Sequence, residues 1–194
     1  MADLAQERAS LIRAAWTVIR RSGYDGFKVR LVIREAGLSA RAFYSHFADK
    51  DALVVALIHD EYEATGRRLR QAMSEAGEEP AARVAAWMRE MLLGAADPSL
   101  SPRTRLLAEH HTLMGRTPGD LAVASACILE PLADAIGQGQ AAGRLRGSDP
   151  LDDAAHISRL AGGAISDYLA DPTAVGGIER MIAGTTEFVL RTLT

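Results

Sequence analysis

Four side chains that donate hydrogen bonds fall within ten residues of this sequence: Arg41, Tyr44, His46 and Lys50. A guanidinium can pair bidentately with guanine in the major groove of DNA, and a hydroxyl, an imidazole or an ammonium can donate to phosphate. The segment could therefore bind nucleic acid, and Arg41 is the best candidate for contact with a base.

Two short helices and a tight turn are predicted to position these side chains. Apolar residues at helical spacing indicate a helix over 29–36, and Gly37 can adopt the left-handed backbone that ends a helix. Ser39 is a favourable N-cap for a second helix over 40–46. This is a helix-turn-helix arrangement, in which the second helix enters the major groove.

The stretch AGLSARAFYSHFADKDAL, residues 36–53, resembles the most characteristic segment of the tetracycline-repressor (TetR) family of bacterial regulators. The matching residues are Ala36, Gly37, Leu38, Ser39, Tyr44, His46, Phe47, Asp49, Lys50 and Leu53. A helix-turn-helix pattern alone is a weak signal, whereas this combination of residues at this spacing is a strong one. The resemblance implies an all-α protein with an N-terminal three-helix helix-turn-helix DNA-binding head over 1–53. A C-terminal helical ligand-binding and dimerisation domain would follow over 54–194.

The resemblance also assigns roles in the head. Ser39, Ala40 and Ala42 would face the groove beside Arg41, whereas Tyr44, His46 and Lys50 match positions that contact phosphates. The full set of expected DNA-binding residues is Lys28, Val29, Ser39, Ala40, Arg41, Ala42, Tyr44, His46 and Lys50. Packing roles for Tyr44 and His46 remain open alternatives.

Four residues of the head depart from the family's pattern. Lys28 stands where Thr or Ser is usual, and it can reach phosphate but cannot cap the helix. Ile33 replaces a small Ala, Leu31 a residue that is often polar, and Arg41 one that is often Gly. We interpret these departures as altered specificity and packing.

The net charge of −3 conceals an uneven distribution of charge. Residues 1–50 hold nine basic and five acidic residues, a balance of +4, and the other 13 basic and 20 acidic residues give −7. A basic head on an acidic body is typical of a DNA-binding protein, although offsets of this size also arise from scattered surface charge.

Composition narrows the classes of protein that remain. The only cysteine, Cys127, excludes an internal disulfide framework and a cysteine-rich zinc site. No apolar run reaches membrane-spanning length, and the N-terminus lacks the core of a signal peptide. We therefore expect a cytoplasmic protein without a metal or another cofactor.

Prolines and caps divide the rest of the chain into helices. Helices are predicted over 7–22, 50–76, 80–96, 102–114, 118–142, 150–170 and 173–193. Pro131 lies inside one of them and should kink or split it.

The body is expected to hold a ligand cavity and a dimer interface. The candidate ligand-binding residues are Trp87, Met88, Met91, Leu107, His110, His111, Met114 and Cys127. The resemblance implies that the last two helices pair with a second copy, through Ile157, Ala161, Ala164, Ile165, Met181, Thr185 and Phe188. Residues of the first set more often fill an ordinary core, and the alternative for the second set is that both helix faces close the protomer's own core.

The sequence thus predicts a homodimeric, ligand-responsive regulator. We expect a repressor that binds a near-palindromic DNA operator and leaves it on binding a small, largely apolar effector. One alternative is a helix-turn-helix adaptor that binds a protein. Another is a small all-helical enzyme, although no phosphate loop, nucleophile elbow or HExxH motif is present and no catalytic residue can be assigned.

Overall fold

A computed structural model describes residues 2–110, 118–173 and 176–194, and within these ranges the regular structure is helical throughout. The helices are α1 (Ala2–Ser22), α2 (Val29–Ala36), α3 (Ala40–His46), α4 (Lys50–Glu75), α5 (Pro80–Ala96), α6 (Ser101–His110), α7 (Pro118–Ala141), α8 (Pro150–Ala170) and α9 (Ile178–Leu193). The predicted all-α class, with an N-terminal helix-turn-helix and a helical C-terminal part, is confirmed.

The N-terminal core joins α1, α2, α3 and the first half of α4. Leu11, Phe27, Phe43, Leu53 and Leu57 are each at most 1% exposed within it. Burying five such side chains contributes several kcal/mol and holds the short α2 and α3, which could not be stable alone.

The turn between α2 and α3 has the geometry that the sequence predicts. Gly37 has φ 66°, and its amide donates to the carbonyl of Arg34 at 3.2 Å. The hydroxyl oxygen of Ser39 accepts a hydrogen bond from the amide of Ala42 at 3.1 Å. These contacts fix the start of α3, and the predicted bounds of α2 and α3 are confirmed.

The second core lies in the body, between the remaining part of α4 and helices α5, α7, α8 and α9. Trp87, Met88 and Leu132 are fully buried there. Tyr62, near the middle of α4, packs against both cores. Helix α4 is therefore shared, and residues as far as Ile58 belong to the core of the head. The domain boundary after residue 53 stays a prediction.

Helices α4 and α7 approach closely at Gly66. A Cβ atom on this glycine would lie 2.6 Å from the carbonyl oxygen of Cys127. That carbonyl precedes Pro131 by four residues, and proline has no amide hydrogen with which to bond it. Arg70 Nη1 lies 3.5 Å from the same oxygen. Helix α7 nevertheless runs on to Ala141, so Pro131 does not split it, and the kink stays a prediction.

Two predicted helix starts are wrong. Helix α1 begins at Ala2 rather than at residue 7, because the earlier residues are themselves good helix formers. Helix α9 begins at Ile178 rather than at 173, because Gly176 and Gly177 have φ values of 72° and 87°. The predicted helix over 102–114 is α6 as far as His110, and 111–114 lie outside the described residues.

Candidate nucleic-acid interface and internal cavity

Helix α3 presents a polar outer surface because its aromatic residues point in different directions. Phe43 is fully buried and Phe47 is 4% exposed, so both anchor the helix on the core. Tyr44 is 62% exposed, and Arg41 is exposed without an ion-pair partner among the described residues. Arg41 and Tyr44 are therefore free to contact a partner.

Small residues surround Arg41 on the same surface. Ser39 and Ala40 are exposed, and Ala42 is half-buried. Their size leaves space for a flat partner to approach the backbone of α3. The structure thus brings the four candidate groove-facing residues together at the start of one helix.

The two candidate phosphate-binding lysines lie outside α3, at the starts of α2 and α4. Lys28 is the N-cap residue of α2, makes no capping hydrogen bond and is exposed, whereas Val29 beside it is half-buried. The Lys50 ammonium lies 4.5 Å from the centre of the Tyr24 ring, within the range of a cation–π interaction. Burial, together with the nearby charge of Asp51, raises the pKa of the Tyr24 phenol.

His46 is placed differently from the other candidates. Its side chain is only 9% exposed, and Nε2 lies 3.1 Å from a carboxylate oxygen of Glu7 in α1. The ring therefore ties the end of α3 to α1. This placement favours a structural role for His46 over the expected phosphate contact.

A cavity of about 440 Å³ lies in the body between α4, α5, α6, α7 and α8. This volume is within the usual range for small-molecule sites. One part of the wall is apolar and the other carries hydroxyl and charged groups. The lining residues are Tyr62, Thr65, Arg68, Glu90, Met91, Gly94, Thr104, Ser125, Ile128, Leu129, Ser158, Arg159, Gly162, Ile165 and Ser166.

Among the predicted ligand-binding residues whose side chains the structure describes, Met91 alone lines this cavity. Trp87 and Met88 are fully buried in the core, and the Trp87 indole donates to the carbonyl of Ile128 at 3.0 Å. Cys127 is half-buried at the contact of α7 with α4 and is not part of the wall. Trp87, Met88 and Cys127 are thus core or packing residues in this structure. The side chains of Leu107, His110, His111 and Met114 lie outside the described part of the chain.

The sequence analysis did not predict the polar residues that line the cavity, although the spacing of some of them along their helices is informative. Ser158, Gly162 and Ser166 follow one another at intervals of four on α8, and Thr65 lies three residues after Tyr62 on α4. Such spacing places small or hydroxyl-bearing residues on one helix face. An interruption of an apolar face by hydroxyl groups is a pattern that could have been found.

A buried ion-pair network joins the cavity wall to the head. The Glu61 carboxylate, 2% exposed, accepts hydrogen bonds from Arg68 at 3.1 Å and from Arg103 at 2.9 Å. Arg68 Nε also lies 3.2 Å from the Glu90 carboxylate. The Arg103 guanidinium stacks 4.7 Å from the centre of the Trp16 ring in α1. We call Glu61, Arg68, Arg103 and Glu90 the Glu61 network.

The residues expected at a dimer interface divide into two groups. Ile157, Ala161, Ile165 and Met181 are buried within the protomer, and Ile165 also lines the cavity. Ala164 and Thr185 are half-buried, and Phe188 is 49% exposed. Four of the seven residues therefore close the core of the protomer, as the alternative interpretation allowed.

The described residues contain no cluster of three or more histidine, cysteine or acidic side chains that could hold a metal ion. Within the same ranges, no helix combines the length and the apolar character needed to cross a bilayer.

Comparison with known proteins adds sequence and structural relatives. Residues 11–57 match the family model described as bacterial regulatory proteins, tetR family. A TetR-family transcriptional regulator from Rhodococcus sp. is 22% identical, with a TM-score of 0.75 and coverage of 98% of this chain and 100% of that chain. No curated protein matches the sequence.

Two further solved structures share the fold. RolR in complex with resorcinol is 18% identical, with a TM-score of 0.74 over 99% of this chain and 89% of that one. Reduced NemR from E. coli is 19% identical, with a TM-score of 0.69 over 97% of each chain.

Proposed function

Because the chain belongs to the TetR family of bacterial regulatory proteins, we propose that it is a homodimeric, DNA-binding repressor released from its operator by a small effector. Its family membership supports a DNA-binding regulator of transcription over an enzyme. The finer assignments, namely repression, a near-palindromic operator, a homodimer, an apolar effector and a cytoplasmic location, are part of the proposal.

The observation that carries the proposal is the outer surface of α3. Arg41 and Tyr44 project from a helix whose two phenylalanines are buried, so the recognition surface is rigid as well as exposed. A guanidinium held in this way can pair with guanine, and Lys28 and Lys50 lie where they could meet the flanking phosphates.

Helices α8 and α9 support the homodimer. Leu160 on α8 is 38% exposed and Phe188 on α9 is 49% exposed. A Cβ atom added at Gly163 or Gly184 would meet nothing within 4 Å in the protomer. Glycine inside a helix costs about 1 kcal/mol relative to alanine, so a second helix that approaches closely would explain both residues. A two-fold dimer would place two heads on successive major grooves, roughly 34 Å apart.

The cavity supports an effector, and the Glu61 network supports its coupling to the head. RolR, which shares the fold, was solved with the small phenol resorcinol. In our proposal the effector displaces Arg68 or Glu90, and the change reaches α1 through Glu61, Arg103 and Trp16. A tenfold loss of operator affinity requires only about 1.4 kcal/mol of coupling.

Fluorescence anisotropy of the protein against DNA flanking its own gene would test the DNA-binding proposal, with random DNA as competitor and at two salt concentrations. Replacing Arg41 by Ala should weaken the free energy of operator binding by about 1–3 kcal/mol and relax the base preference at one base pair. Lys50→Ala should instead weaken binding to all DNA sequences similarly, and it should reduce the dependence of affinity on salt concentration.

The two variants serve as controls for each other. Equal weakening of specific and random DNA by Arg41→Ala would exclude its role in reading a base. If the unmodified protein bound its flanking DNA no better than random DNA, selection from a random pool would follow. Failure of that selection would favour the protein-binding adaptor.

A further inference from the structure

The chemistry of the cavity wall narrows the class of effector, and this inference rests on the proposed function, in which the cavity is the effector site. Met91, Ile128, Leu129 and Ile165 form an apolar portion of the wall. This portion can bury a hydrocarbon or an aromatic ring. It provides no partner for a polar group, so any such group on the ligand must be met by the rest of the wall.

Basic side chains outnumber acidic ones along the described part of the cavity wall. Arg68 and Glu90 lie 3.2 Å apart, and Arg68 also shares the Glu61 carboxylate with Arg103. These two arginines and two glutamates balance in charge. Arg159 on α8 lines the same cavity at its solvent-exposed edge and has no ion-pair partner among the described residues. Among the lining residues that the structure describes, cations therefore exceed carboxylates by one.

Helix α8 also leaves space beside this cation. Gly162 lines the cavity between Ser158 and Ser166, and a Cβ atom on it would meet nothing within 4 Å. The two serines flank this gap with hydroxyl groups that can donate hydrogen bonds. A polar group of the ligand near Arg159 would thus have room and further donors close by.

We propose that the effector is a small organic acid with an apolar body. Its carboxylate binds Arg159, assisted by the hydroxyls of α8, and its hydrocarbon part packs against Met91, Ile128, Leu129 and Ile165. A guanidinium binds a carboxylate through charge-assisted hydrogen bonds, which are roughly twice as strong as neutral ones. A neutral molecule would gain no charge-assisted bond there, and an amine would be repelled by the cation.

Three probes with the same body and different head groups test this assignment: 4-phenylbutyrate, 4-phenylbutan-1-ol and 4-phenylbutylamine. Isothermal titration calorimetry of the full chain should give the lowest Kd for the carboxylate. Arg159→Gln should raise the Kd of the carboxylate about tenfold, as expected for a charge-assisted bond partly open to water. It should leave the Kd of the alcohol unchanged. Arg67→Gln removes an exposed charge on α4 that pairs at 3.9 Å with Glu63 and does not line the cavity, and it should change neither Kd.

A second variant tests the location of the bound probe. Gly162→Leu would extend a side chain into the open space of the cavity, and it should abolish binding of the carboxylate and the alcohol while keeping the chain folded. Preference for the alcohol or the amine, absence of carboxylate binding, or equal effects of Arg159→Gln and Arg67→Gln would overturn the proposal. DNA binding by the ligand-free protein is measured separately. Absence of DNA binding would refute the proposed function as a regulator. DNA binding together with a preference for the alcohol or the amine would refute only the proposed class of effector.

Discussion

Replacing Glu61 by Gln tests the Glu61 network with almost no change in side-chain shape. The carboxylate accepts hydrogen bonds from the Thr65 hydroxyl, from Arg68 and from Arg103, at 3.1, 3.1 and 2.9 Å. An amide removes the negative charge and turns an NH₂ group toward at least one guanidinium. Arg103 then loses its ion-pair partner within the described part of the chain, and Arg68 keeps only the Glu90 carboxylate.

The magnitude follows from how well these arginines can be solvated. Breaking a fully buried ion pair costs about 3–5 kcal/mol. The side chains of Arg68 and Arg103 are 30% and 28% exposed, so water can recover part of that loss. We therefore expect Glu61→Gln to lower the free energy of unfolding by about 2–3 kcal/mol. For a chain of this size the melting temperature should fall by roughly 4–12 °C.

Glu63 offers a matched control on the same helix. Its carboxylate is 65% exposed and lies 3.9 Å from Arg67, so Glu63→Gln should cost less than about 0.5 kcal/mol. Urea unfolding followed by circular dichroism, at one fixed protein concentration, would compare the two variants with the parent. Equal stabilities of the Glu61 and Glu63 variants would refute our account of the network. Operator affinity of Glu61→Gln should also fall, because one of the contacts between head and body would be weakened.

Three other predictions follow from packing and burial. Gly66→Ala should destabilise the chain by about 1–2 kcal/mol in urea unfolding, because the clash with the Cys127 carbonyl exceeds the gain in helix propensity. In Gly94→Ala the nearest atom to the new Cβ is at 3.5 Å, so this control should be neutral or stabilising. Phe188→Asp should convert a dimer into a folded monomer in light scattering, and an unchanged mass would exclude Phe188 from the interface. Burial raises the pKa of the Tyr62 phenol, so its contribution to stability should be complete below pH about 10 and decline above it. Tyr62→Phe should remove a late-ionising group from an ultraviolet titration, and an unchanged titration would contradict that assignment.

The helix-turn-helix could be predicted because its determinants are local. Gly37 ends α2 through its own backbone conformation, and Ser39 caps α3 through a contact three residues away. Phe43 and Phe47 are four residues apart and therefore share the buried face of α3. The start of α9 also has a local determinant, since Gly176 and Gly177 adopt positive φ values that a helix cannot include. The prediction that this helix starts at 173 did not take the two glycines into account.

The cavity could not be predicted in the same way because its wall comes from five helices. Trp87 and Met88 have the residue types of a ligand pocket, yet their face of α5 points into the core. Arg68 and Glu90, which do line the cavity, are 22 positions apart and meet only when α4 packs on α5. Sequence spacing specifies the face of one helix but does not specify which helix lies opposite.

The stacking of Arg103 on Trp16 gives this protein an optical reporter at the boundary between its two parts. Only two tryptophans are present, and Trp87 is fully enclosed in the body. Trp16 is in the head, where its indole also donates to the Asp60 carboxylate at 3.0 Å. In a Trp87→Phe background all tryptophan emission would come from Trp16. Its intensity and wavelength would then follow the separation of head and body in real time, without an attached dye.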